Sequence, residues 1–263
     1  MLKKISIITP SFNQGEFIED AILSVLNQKN IIVEHIIIDG GSTDNTIRIL
    51  KKYNHLKWVS EKDNGQTNAL NKALKLVTGD IIGWLNADDY YQKNIFEKVI
   101  KELNSKEVNF VYGNFNYVSK SKKILKRIIA KKKFFISKKI ISKFICFIPS
   151  VTFFIKKENL KNITFDENVK LTMDKELFAN LYHRNFLSKK INYTISNFRL
   201  HENNKLEMKK DHISKFARYY EGVYIYNKYS KHKISQNIFG RLFYSNIQKI
   251  LILLNFISNF LNK

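Results

Sequence analysis

Two adjacent aspartates, Asp88 and Asp89, close the stretch TGDIIGWLNADDYY (78–91), directly behind the apolar positions Ile81, Ile82, Trp84 and Leu85. That run lacks the polar alternation of a half-exposed strand, so it reads as a strand covered on both faces. Two ionised carboxylates about 6 Å apart repel by roughly 3 kcal/mol at an effective dielectric near 20. Water can screen such a pair, or a cation can sit beside it. Aspartate oxygens suit Mg²⁺ or Mn²⁺, ions held by one or two carboxylates with substrate phosphates completing the shell. The chemistry to expect at residues 86–89 is therefore that of a metal–diphosphate.

Other polar residues also follow apolar runs. Pro10, Ser11 and Asn13 come after the first, Asp39 with Gly40 and Gly41 after the second, and Asp63, Asn64 and Gly65 after the third. Each alone has a plain structural reading. Asp39 can be a turn residue bonding its own backbone, Asp63 part of a tight Asn-Gly turn, and Ser42 or Thr43 a helix cap. Their recurrence at four successive run ends favours a shared site.

The elements that must position them alternate. KISIIT (4–9) reads as a strand and residues 15–28 as a helix with Phe17, Ile18, Ala21, Ile22 and Val25 on one face. VEHIIID (33–39), LKWVSE (56–61) and residues 80–85 are further strands; 42–53, 66–77 and 94–104 are helices, and NFVYGNFNYV (109–118) is one or two strands. Alternation of this kind implies βαβ units, a mostly parallel sheet and strand carboxyl ends on one rim, where open α/β sheets bind ligands.

Several classes are disfavoured. No G-x-G-x-x-G follows the first strand, no G-x-x-x-x-G-K-[ST] occurs, and no Cys/His spacing suggests zinc. The single cysteine, Cys146, cannot form an internal disulfide, which fits a reducing cytoplasm. The apolar start is too short for a signal-peptide core, and ILILLNFISNFL (250–261) falls short of the ~20 residues of a bilayer span.

The net charge of +22 is unevenly spread. Residues 1–107 hold 14 basic and 14 acidic groups, whereas 108–157 hold 13 basic groups and no acid, and 208–263 hold 10 against 2. The stretches KSKKILKRIIAKKKFF (120–135) and SKKIISKFICFI (137–148) are basic and amphipathic, suited to an anionic membrane surface. The competing reading is a solvated lysine-rich surface with a core or homodimer-forming helix. Nucleic-acid binding is disfavoured, since no recognition motif appears and the acidic rim would repel phosphate without a metal.

Seven segments, in order over about 1–202, carry a resemblance. They are ISIITPSFNQGEFIEDAILSVLNQ, IIIDGGSTDNT, EKDNGQTNALNKAL, TGDIIGWLNADD, IPSVTFFIKKENL, FDENVKLTMDKELFANL and FRLH. The set resembles the family 2 inverting glycosyltransferases of GT-A fold. The resemblance implies an α/β, Rossmann-like, mostly parallel sheet flanked by helices over 1–205, with a donor half (1–118), an acceptor half (119–205) and a basic helical tail (206–263). It implies transfer of a sugar from a nucleotide-diphosphate donor, a UDP-sugar in the first instance, during cell-surface polysaccharide synthesis. Pro10 and Ser11 would line the nucleoside pocket, Asp39 would bond the base, and Asp63 and Gly65 would border base and ribose. Within the D-x-D-like Asn86-Ala87-Asp88-Asp89, Asp88 would bind Mn²⁺ or Mg²⁺ with Asp89 in support, and His201 would close over metal or diphosphate. Asp174 would be the catalytic base, with Glu176 as its rival and a helix N-cap as its bland alternative. Asn86 stands where many relatives have aspartate, as does Asn68, and Ala73 stands where glycine is common. A lipid-diphosphate-linked glycan at the inner membrane face is the expected acceptor; a catalytically silent sugar-nucleotide binder is the alternative.

Overall fold

The first strand, β1 (Lys4–Ser11), is buried from Ile5 to Ser11 and lies between two parallel neighbours. The computed structural model describes residues 4–130, 150–161, 163–202, 204 and 212–229. Strands β2 (Ile32–Asp39), β3 (Lys57–Ser60) and β4 (Ile81–Trp84) complete a parallel set in the order β3-β2-β1-β4. Register aligns their carboxyl ends: Ser11 is paired with Asp39, Asp39 with Ser60, and Ile8 with Trp84. The rim expected from the sequence thus exists.

Crossover helices α1 (Ile18–Leu26), α2 (Thr46–Leu50) and α3 (Gln66–Leu76) connect these strands. In α1 the buried side is Ile18, Ala21, Ile22 and Val25, an i, i+3, i+4, i+7 stripe that turns one apolar face to the sheet. The second helix is shorter than its sequence pattern, and neither Ser42 nor Thr43 caps it. Asn45 is at the N-cap, while the Asp44 carboxylate accepts bonds from Thr46 N, Thr46 Oγ1 and Gly15 N.

All four residues of β4 are buried, as its unbroken apolarity predicts. Gly83 is required there, since a Cβ would lie 2.6 Å from Phe154 Cε1 and 2.8 Å from Ile7 Cδ1. Beyond β4 the sheet becomes mixed. Strands β5 (Tyr90–Tyr91), β6 (Phe110–Val118), β7 (Ile124–Ile128), β8 (Phe154–Lys156) and β9 (Ser188–Arg199) extend the order through β4-β8-β6-β9-β5, with β7 hung on β6. The β6–β9 pair is parallel, and the β4–β8, β6–β8, β6–β7 and β5–β9 pairs are antiparallel. Helix α4 (Phe96–Leu103) buries Phe96, Val99, Ile100 and Leu103 in a core shared with Tyr91 and Phe154.

The chain divides into two compact units. One comprises Met1–Ala130, Ile148–Lys170 and Leu187–His201 and holds the sheet; the other comprises Lys131–Phe147, Leu171–Phe186 and Glu202–Lys263. In the second, α5 (Met173–His183) buries Leu177, Phe178, Leu181 and Tyr182, and α6 (His212–Tyr229) packs on it with Val223 and Ile225 buried. The amphipathic stretch 137–148 and the apolar segment 250–261 lie outside the described residues. No helix among the described residues is long and apolar enough to cross a membrane.

Candidate functional site

At the end of β2 the Asp39 carboxylate is fully buried and accepts four bonds, from Gly41 N, Ser42 N, Ser42 Oγ and Ser60 Oγ at 2.5–3.1 Å. Its first task is the turn that its sequence setting suggests: it locks the loop after β2, where Gly41 sits at φ +85°. Asn13 is stitched to the same loop, its N–H donating to Ser42 Oγ and its Oδ1 accepting from Thr43 N. Pro10 is one register step back, opposite Ile38. Ser11, opposite Asp39, is 5% exposed, and its hydroxyl has no hydrogen-bond partner among the described residues. A buried, unsatisfied hydroxyl costs about 1–3 kcal/mol, so this strand end is prepared for a further polar group. Asp63 accepts from Gly65 N at 2.8 Å and lies against Gly40, where an added Cβ would approach Asp63 Oδ1 to 3.1 Å. Gly65, at φ +99°, is the N-cap of α3 and has open space where a Cβ would stand.

The four residues after β4 point in different directions. Asn86 Oδ1 accepts from Trp84 Nε1 at 3.0 Å and from Gln66 Nε2 at 3.1 Å, while its Nδ2 donates to Asp89 Oδ2 at 3.0 Å. A carbonyl oxygen offers two lone pairs, and both are engaged. Its Oδ1 therefore has no lone pair left for a hydroxyl of a bound donor. Ala87 is 2% exposed and belongs to the core cluster of Ile18, Ile22, Ile37 and Leu50. Asp89 is fully buried, its second oxygen accepting from Arg199 N at 2.8 Å. Burial, reinforced by the neighbouring Asp88 charge, pushes its carboxyl well above the usual range.

Asp88 alone of the two turns outward, and His201 meets it. His201 Nε2 lies 3.1 Å from Asp88 Oδ2, with their side chains 3% and 18% exposed. The imidazole rests on the Phe17 ring, centroids 4.6 Å apart. The same ring lies 4.9 Å from the guanidinium carbon of Arg199, whose other face meets Tyr90 and whose Nη2 bonds Asp20 Oδ2 at 2.7 Å. Strand β9 thus delivers Arg199 to the aspartate pair and, two residues on, His201 to Asp88.

A divalent ion fits part of the expected set. Asp88 and His201 converge as a carboxylate oxygen and an imidazole nitrogen, a pair compatible with Mn²⁺ more than with all-oxygen Mg²⁺. Asp89 is turned away, since both its oxygens are committed to Arg199 N and Asn86 Nδ2, a geometry that suits support of Asp88 rather than direct ligation. No group of three or more His, Cys, Asp or Glu suited to a metal occurs among the described residues, so an ion here would depend on substrate oxygens.

Asp174 belongs to the second unit, in the first turn of α5. It is not the N-cap, which is Thr172; its Oδ1 accepts from Lys175 N at 2.8 Å. Its rival Glu176 is buried, accepting from Lys228 Nζ at 2.8 Å and from the Tyr229 hydroxyl. Burial and the Glu176 carboxylate together raise the Tyr229 pKa.

Trp84, Gln66, Phe17, Arg199 and Asp20 join the site without a signal of function in their local sequence. Phe17 reads there only as core, and Arg199 lies in plain view inside FRLH. The available signal is position alone: Arg199 ends β9 and His201 follows two residues later.

Residues 6–164 match the model of glycosyl transferase family 2. A Bacillus subtilis protein named for teichuronic acid biosynthesis glycosyltransferase activity, TuaG, is 33% identical over 121 residues, covering 44% of this chain and 48% of its own length. The poly(ribitol-phosphate) beta-N-acetylglucosaminyltransferase TarP of Staphylococcus aureus is 31% identical over 137 residues, 49% of this chain and 42% of TarP. The chain thus spans about half the length of these curated relatives. Among solved structures, S. aureus TarS 1–349 in complex with UDP-GlcNAc superposes with a TM-score of 0.65 at 17% identity, over 93% of this chain and 70% of the other. The mannosyltransferase PcManGT of Pyrobaculum calidifontis, in complex with GDP-Man and Mn²⁺, gives 0.63 at 17% identity, over 87% and 64%. At these identities the likeness establishes the GT-A fold.

Proposed function

Because the chain belongs to glycosyl transferase family 2, we propose that it moves a sugar from a nucleotide-diphosphate donor, a UDP-sugar first, to a hydroxyl of a glycan or lipid-linked glycan acceptor, with inversion at the anomeric carbon. The observation that carries this reading is the approach of Asp88 and His201 to 3.1 Å beyond the carboxyl end of β4. Relatives named for cell-wall polymer synthesis support the setting.

Asp88 and His201 would hold Mn²⁺ or Mg²⁺, which when bound offsets the charge gathering on the departing nucleoside diphosphate. Asp89 keeps Asp88 in place through the shared backbone turn, anchored to Arg199 N. The Ser11 hydroxyl supplies a hydrogen bond to the nucleoside, which relieves its unsatisfied state. Asp39 and Asp63 shape the loops that flank base and ribose. Asp174 takes the proton from the acceptor hydroxyl as that oxygen attacks; Glu176, already bonded to an ammonium and a phenol, is the weaker candidate.

Titration with UDP-GlcNAc and GDP-mannose, each with and without Mn²⁺, followed by assay of nucleotide release, tests the whole. Metal-dependent binding with turnover is expected. Binding without turnover would instead make the chain a silent sugar-nucleotide binder, and binding that Asp88→Ala leaves untouched would remove Asp88 from the site.

An acceptor presented at an anionic membrane face, with the chain peripheral on the cytoplasmic side, is supported by the β6–β7 hairpin. Ile124, Leu125 and Ile129 are more than half exposed there, interspersed with Lys123, Lys126 and Arg127. Two other basic groups of the hairpin are already spent, Lys120 on Glu16 and Lys122 on Asp20. Flotation with vesicles containing or lacking phosphatidylglycerol decides the point: salt-sensitive binding to the anionic vesicles is expected, and equal recovery with both kinds removes the membrane from the proposal.

A further inference from the structure

We propose that Glu221, on the last described helix, is the positioning residue for Asp174; the inference rests on Asp174 being the base. Helix α5 starts without a capping bond from the side chain at its own N-cap, Thr172. The Glu221 carboxylate, fifty residues away in sequence, instead holds the two residues that lead into the helix. It accepts from Leu171 N at 3.0 and 3.1 Å through its two oxygens, from Thr172 N at 2.8 Å and from Thr172 Oγ1 at 2.8 Å. Orphan donors at a helix start are satisfied in this way, and a carboxylate there is favoured by the helix dipole.

The grip is two-sided. Further along α6, Lys228 and Tyr229 bind Glu176, whose side chain is 1% exposed. Helix α6 therefore fixes the residues two before and two after Asp174, whose own Oδ1 accepts from the adjacent Lys175 N. A group that must meet a proton at hydrogen-bond distance tolerates little displacement; misplacement by about 1 Å can cost on the order of a hundredfold. The described part of the basic tail, residues 212–229, thereby acquires a definite role: it aims the base.

Two variants of the full chain, Glu221→Ala and Glu221→Gln, measured beside Asp174→Asn, test this. The probe is nucleotide release with Mn²⁺ from whichever of UDP-GlcNAc, UDP-glucose and GDP-mannose the unmodified chain turns over fastest. Glu221→Ala should lower kcat about 10- to 100-fold with donor KM within about twofold, and Glu221→Gln, which keeps an acceptor oxygen, should recover most of the loss. Added to Asp174→Asn, Glu221→Ala should change the residual rate less than about twofold, because it acts through a group no longer present. Full multiplication of the two effects, or a rise in KM at constant kcat, overturns the proposal. Amide exchange at residues 171–173 separates the two readings. If Asp174→Asn keeps normal turnover but Glu221→Ala speeds that exchange, the base assignment fails and the grip survives. Unchanged exchange sinks the grip itself. Should Glu221→Ala not fold, Glu221→Asp, which draws the carboxylate back by one methylene, takes its place in the kinetic and exchange comparisons.

Discussion

The same set of parallel strands carries acids at both edges, and the two edges treat them oppositely. At the amino end Glu34, the first buried residue of β2, is surrounded by partners. Ser6 Oγ donates at 2.6 Å, Thr78 N at 2.9 Å, Thr78 Oγ1 at 2.8 Å and Lys57 Nζ at 2.5 Å. Burial works to raise its pKa, but the bonds from Lys57, Ser6 and Thr78 outweigh it and bring the carboxyl down to about 2. At the carboxyl end Asp89 is buried too, and burial plus the Asp88 charge prevail over its bonds to Arg199 N and Asn86. One acid ties β1, β2, β3 and the approach to β4 together. The other pair keeps its repulsion. The edge at Glu34 is given its countercharge by the chain; on the reading proposed above, the edge at Asp88 and Asp89 takes its countercharge from a bound cation.

The sharpest way to break this contrast is to remove the outward acid. Asp88→Ala should lower turnover by at least about a hundredfold, or roughly 2.7 kcal/mol, and leave the melting temperature unchanged or higher, since a repulsion is removed. A stability loss with activity retained would mean that Asp88 is structural and the contrast false. The mirror experiment is Glu34→Gln, which should cost about 2 kcal/mol of stability and leave kcat per folded molecule unaltered. It should also change the acid limb. The Glu34 carboxyl titrates lower folded than unfolded, so its contribution is full above the unfolded value of 4.5 and disappears as pH falls toward about 2. Urea titrations at pH values of about 7, 4 and 2.5, chosen to bracket that window, should show the gap between variant and parent closing as pH drops. A constant gap would mean that the ion pair is not what stabilises that edge.

Much of this arrangement is legible in the residues. Apolar runs and polar ends mark the strands β1 to β4 to within a residue or two; β1, β2 and β4, largely buried, leave little ambiguity, while the more exposed β3 is marked by its place between helices, and charge alone singles out residues 86–89. What composition does not carry is direction. Asp88 and Asp89 are adjacent and chemically identical, and only the backbone turn and the neighbour Arg199 N decide which is buried. Asn86 looks like a weakened aspartate in the sequence; tertiary contact with Trp84 and Gln66 makes it a hub. The Glu221 grip on α5 spans about fifty residues and leaves no periodic trace. Such long-range polar pairings are the part of a fold that local patterns do not encode.

Asn86 offers the finest test of the contrast, since an aspartate there would match what many relatives carry. Asn86→Asp keeps both lone-pair contacts to Trp84 Nε1 and Gln66 Nε2 but removes the Nδ2 donor to Asp89 and sets a third carboxylate beside the pair. Without metal it should cost about 1 kcal/mol, the size of a modest lost hydrogen bond, and melt a few degrees lower. Saturating Mn²⁺ should narrow or reverse the difference, because added negative charge raises affinity for a cation in the native state alone. Mg²⁺ should do so less, if His201 is a ligand. Calorimetric melts of parent and variant with no metal, Mn²⁺ and Mg²⁺ read this directly. A deficit that Mn²⁺ leaves intact would show that Asn86 serves only the packing beneath the rim, and that the charge at this edge is not waiting for a cation.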